Sequence, residues 1–110
     1  MKTKIVYALI ASEQDLFLEE CWVSLYSLRI FHPEVNVTLL LDESTKKYVS
    51  LFPDFCRMVT ETIVVPVLKE YTAKQKSRDL KTKTRLYVKG PMLFLDNDTV
   101  VCKSLDEIDE

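Results

Sequence analysis

Residues 92–101 read MLFLDNDTVV. Four apolar residues run into Asp96-Asn97-Asp98, and Val100-Val101 follow after Thr99. Bounded upstream by Gly90-Pro91, the run predicts a short buried strand at 92–95. Its exit is what matters for the fold. In an open α/β sheet, ligands bind outside the carboxyl ends of the strands, and this strand delivers two carboxylates there.

The residues before it repeat the same logic. KIVYALI at 4–10, VNVTLLL at 35–41 and TIVVPV at 62–67 read as three further strands, the last an edge strand because of Pro66. Helical patterns separate them. Ser12-Glu13-Gln14-Asp15 has the form of a capping box, and Leu18, Cys21, Trp22, Leu25 and Leu28 follow at spacings of three and four up to Pro33. Trp22, Tyr26 and Phe31 are expected in the core, and His32, at a helix end before proline, on the solvated surface. Ser44 to Phe52 predicts a shorter helix, and Thr72 to Lys89 a longer one capped by Thr72 with Gln75. Alternation of this kind predicts an α/β fold, a Rossmann-like open sheet with flanking helices. Ser104-Leu105-Asp106-Glu107 announces one more helix, yet the sequence stops at Glu110, so a truncated domain is expected.

Composition narrows the chemistry. At 47% hydrophobic and 29% charged, the 110 residues match one ordinary globular domain. Gly90 is the single glycine, which excludes a P-loop or a G-x-G-x-x-G turn. Any diphosphate must be held by another device. Cys21, Cys56 and Cys102 have neither metal nor redox spacing and read as small buried hydrophobes of a reducing compartment. The seven-residue run Ile5 to Ala11 meets Glu13 and Asp15, which favours a strand over a signal peptide. No run reaches the roughly 20 apolar residues of a membrane span. A cytoplasmic location, with peripheral membrane association of the full-length protein as an option, follows as the expectation.

The net charge of −2 gives no general affinity for nucleic acid. Its distribution is uneven, because residues 69–89 hold eight of the 15 basic groups and only two of the 17 acids. Lys74, Arg78, Lys81 and Arg85 fall on one helical stripe. Such a stripe repels itself unless an anion or acidic surface compensates, and its arginines can grip phosphate in a bidentate manner. Asp96 and Asp98, separated by one residue, can converge on Mg²⁺ or Mn²⁺, which would bridge to a diphosphate. The competing reading is a turn in which Asp and Asn satisfy local backbone groups.

From Ser77 through Leu105, SRDLKTKTRLYVKGPMLFLDNDTVVCKSL resembles the donor-binding segment of GT-A glycosyltransferases, particularly the family 8-type bacterial sugar transferases. The resemblance implies that Asp96 and Asp98 are the D-x-D pair holding Mn²⁺ or Mg²⁺ on a nucleotide-diphosphate sugar, a UDP-sugar above all. It implies that Lys81 and Arg85 are the basic element near the donor. Ser12 and Asp42 would line the nucleoside pocket. Residues 1–110 would be the N-terminal, donor-binding portion of one transferase domain. The catalytic residues, the unknown acceptor's site and a metal-completing histidine are then expected beyond residue 110. Two other readings stand beside this one. D-N-D-T-V also fits the haloacid-dehalogenase opening motif, with Asp96 as nucleophile and Asp98 as acid/base, although that family carries it on the first strand. A non-catalytic interaction domain is the third.

Overall fold

The computed structural model of the chain describes residues 3–103. In order it forms β1 (Lys4–Leu9), α1 (Phe17–Phe31), β2 (Val37–Leu41), α2 (Glu43–Val49), α3 (Pro53–Cys56), β3 (Glu61–Val64), α4 (Ala73–Tyr87) and β4 (Met92–Phe94). The strands build one sheet in the order β3-β2-β1-β4, and every pairing is parallel. The result is a Rossmann-like open sheet flanked by helices. The helix announced at 104–107 lies outside the described residues.

Parallel strands buried on both faces need apolar side chains in both directions, and β1 supplies them. Ile5, Tyr7 and Leu9 join Val37, Leu39 and Leu41 of β2 on one face, against Leu18, Cys21, Leu25 and Leu28 of α1. Val6, Ala8 and Leu40 form the other face with Leu80 of α4. The α1 layer contains one internal polar chain. The Tyr7 hydroxyl lies 2.6 Å from Ser24 Oγ, Ser27 Oγ donates to the Ser24 carbonyl, and the Val101 amide donates to Ser27 Oγ. Burial pushes the Tyr7 phenol and the Cys21 thiol up to about 12 each.

Several local expectations shift. The first helix begins at Phe17, because Ser12 and Asp15 spend their hydrogen bonds on the preceding loop. There Asp15 Oδ2 accepts from both the amide and the hydroxyl of Ser12, and Oδ1 accepts from the Phe17 amide. His32 is buried instead of solvated. The Arg29 guanidinium binds the carbonyls of His32, Pro33 and Val35 and so folds this turn inward. Tyr26 and Phe31 point outward, whereas Trp22 meets Phe52 and Phe55 edge to face. Of the cysteines only Cys21 is fully buried; Cys56 is partly so and Cys102 is exposed. The helix expected over Ser44 to Phe52 runs from Glu43 to Val49, and Pro53 opens the short helix α3.

The third strand is an edge strand, as Pro66 implied, and ends before that residue. The capping box on α4 forms in full: the Gln75 amide donates to Thr72 Oγ1 and the Thr72 amide to Gln75 Oε1. Between α4 and β4 the chain turns at Gly90, whose φ of +84° suits the one residue without a Cβ. No helix among the described residues is long and apolar enough to cross a membrane.

Candidate functional site

Strand order reverses between β1 and β4, since β2 and β3 extend from one side of β1 and β4 pairs on the other. At such a switch point the loops leaving the two strands diverge and open a crevice at their carboxyl ends. A cleft of about 930 Å³ lies there. Its floor carries Ala8, Phe94 and the Asp96-Asn97-Asp98 turn; one wall is α4, with Lys74, Arg78 and Lys81; the other includes Ile10, Phe17 and Glu20.

The turn's shape follows from where the ladder stops. The Leu95 amide still donates to the Val6 carbonyl, in register with β1. The next acceptor on β1, the Ala8 carbonyl, receives the Asn97 side-chain amide at 3.0 Å. A side chain thus takes the rung that the backbone gives up. The Thr99 amide closes the turn on the Asp96 carbonyl, with Asp96 and Asp98 both exposed at its ends. The chain does turn here, but the side chains do not serve local backbone groups as the turn reading expected: Asn97 reaches Ala8, Asp96 faces Lys81, and the carboxylates stay available to the cleft. Asn97 Oδ1 is buried with no hydrogen-bond partner among the described residues, an acceptor placed beside the cleft that a water or ligand donor would satisfy.

The sequence-derived candidates separate. Lys81, Asp96 and Asp98 line the cleft, and Lys81 Nζ lies 3.3 Å from Asp96 Oδ1 and 5.9 Å from the centroid of the Phe94 ring. Arg85 does not line it. One turn farther along α4, its guanidinium donates to the Gly90 carbonyl, near the start of β4 and away from the acidic turn. Ser12 lies in the loop between Ile10 and Phe17 and is engaged with Asp15.

Asp42 is also elsewhere. It caps α2 by accepting from the Thr45 amide, and it faces Lys76 at 3.5 Å beside a second hollow at the carboxyl ends of β2 and β3. Burial by itself would raise this carboxyl. The hydrogen bonds from Thr45, the Lys76 ammonium and the Ser44 hydroxyl together hold it below its ordinary value of 3.8.

Lys74 and Arg78, part of the basic stripe, enter the cleft where Arg85 does not. Asn97 and Glu20 are additions that no spacing rule pointed to. For a divalent ion the described residues provide two adjacent carboxylates and no group of three or more His, Cys, Asp or Glu side chains. That donor set suits a hard ion that keeps water and phosphate oxygens as its remaining ligands, as Mg²⁺ and Mn²⁺ do. No protein-family model matches the chain, and no curated protein does either.

Proposed function

We propose that this chain is the donor-binding portion of a GT-A-like glycosyltransferase that uses a nucleotide-diphosphate sugar with a divalent metal. One observation carries the reading: Asp96 and Asp98 share a cleft with three basic side chains at the switch point of a parallel sheet. Asp96 and Asp98 would hold Mg²⁺ or Mn²⁺ from the floor. When bound, the ion neutralises the diphosphate and improves it as a leaving group. Lys74, Arg78 and Lys81 act from the α4 wall, adding positive charge where the diphosphate departs. Arg78 can engage phosphate oxygens in pairs, and the lysines act as point charges. Asn97 ties the turn to β1 between the two carboxylates.

The motif follows β4, the fourth of the described strands and not the first, which weighs against the dehalogenase-like alternative. Calorimetric titration with UDP, with and without Mn²⁺, tests the reading. Binding is expected to require the metal and to be lost in Asp98→Ala. Asp98 is exposed, and its side chain makes no hydrogen bond or ion pair among the described residues, so the variant keeps its fold. Metal-independent binding, or none, sinks the proposal.

A further inference from the structure

The cleft is electrically balanced before any ligand arrives. Lys74, Arg78 and Lys81 face Glu20, Asp96 and Asp98, three charges of each sign around one volume. A divalent cation alone would leave this space strongly positive, and a diphosphate alone would leave it strongly negative. Only the two together approach the original balance. One contact makes the conflict specific: the Lys81 ammonium already sits 3.3 Å from Asp96 Oδ1, where a metal ion would need the same oxygen. Both side chains are about half exposed or more, at 48% and 65%, so the pair is weak and exchangeable.

We propose, resting on the nucleotide-sugar reading above, that Lys81 is an exchangeable counter-ion that couples the cation to the diphosphate. Its ammonium holds Asp96 in the free protein, releases that carboxylate to the incoming cation, and turns onto the phosphate oxygens that accompany it. The cleft therefore takes the metal–diphosphate pair and resists either partner alone. Linkage makes the effect reciprocal, because each ligand must strengthen the other by the same factor.

Mn²⁺ binding, followed by electron paramagnetic resonance with and without UDP, measures that factor. In the unaltered chain UDP is expected to tighten Mn²⁺ roughly 5- to 150-fold, and Mn²⁺ to tighten UDP equally. In Lys81→Met, Mn²⁺ alone binds more tightly than in the unaltered chain and the mutual factor shrinks. Arg78→Met removes the same charge from the same cleft without freeing Asp96, so it strengthens Mn²⁺ alone by less. Equal strengthening in the two variants, or none in Lys81→Met, overturns the exchange. If Mn²⁺ and UDP together fail to bind the unaltered chain, the nucleotide-sugar reading itself falls, and the coupling with it.

Discussion

Helices α1 and α4 have 15 residues each and cover opposite faces of the same sheet, but they are held in place differently. The first buries Leu18, Cys21, Ser24, Leu25, Ser27 and Leu28, and it remains apolar on its outer side at Val23, Tyr26 and Ile30. The second buries only Leu80 and Thr84. The Thr72–Gln75 capping box holds its first turn and the Lys76–Asp42 pair ties it to the end of β2, while Lys74, Arg78 and Lys81 turn toward the cleft. Packing fixes α1, and polar anchoring leaves α4 free to present charge. Stability and ligand affinity should accordingly respond to different helices.

The largest expected effect tests the packing side. Leu25→Ala should cost about 2–5 kcal/mol in urea unfolding, because the side chain is fully buried between α1 and the sheet. Mn²⁺–UDP affinity per folded molecule should stay unchanged. Arg78→Ala reverses the pattern. Loss of a charged phosphate contact should weaken Mn²⁺–UDP binding by about 1.5–3 kcal/mol in calorimetry, with unfolding nearly unaltered.

A smaller effect, on the polar anchor, depends on pH. The Asp42 carboxyl is held below its ordinary value, so its contribution is present above about pH 4 and is lost as pH falls through the folded-state value. Asp42→Asn should flatten the acid side of a stability-versus-pH curve; an unchanged acid limb would show that neither the α2 cap nor the Lys76 pair depends on the ionised carboxylate. Arg85→Ala should do least. With its side chain exposed and outside the cleft, it should change Mn²⁺–UDP binding and unfolding by no more than ~0.5 kcal/mol. A loss as large as that of Arg78→Ala would move the donor site down the helix.

These contrasts also show where the sequence was readable. β1 and β2 were legible because a strand covered on both faces is built almost wholly of apolar residues, as KIVYALI and VNVTLLL are. The α4 cap was legible because Thr72 and Gln75 carry its chemistry at fixed spacing. Helical periodicity placed Lys74, Arg78, Lys81 and Arg85 on one side, but it says nothing of height along the axis. Four residues of helix rise about 6 Å, enough to carry Arg85 out of the cleft.

Asp42 and Asp96 look alike in sequence, each closing an apolar strand. Their fates diverge because α2 starts directly after Asp42 and takes it as a cap, whereas a turn follows Asp96. Ser12 leaves its expected place at the helix cap for a related reason, as short polar side chains satisfy a loop as readily as a helix end. Asn97 gave no signal at all, since its role depends on a carbonyl 89 positions earlier in the chain.

The side-chain rung at Asn97 has a dynamic consequence. The acidic turn hangs between two slender attachments, Asn97 to Ala8 at one end and Val101 to Ser27 at the other, beside a strand of only three residues. Such a segment can open locally at a small fraction of the global unfolding free energy while the α1 face stays closed. A ligand gripping Asp96 and Asp98 would bridge that segment to α4 and suppress the opening. Its arrival would then register first as slowed solvent exchange of the Leu95 and Thr99 amides, before any rise in melting temperature.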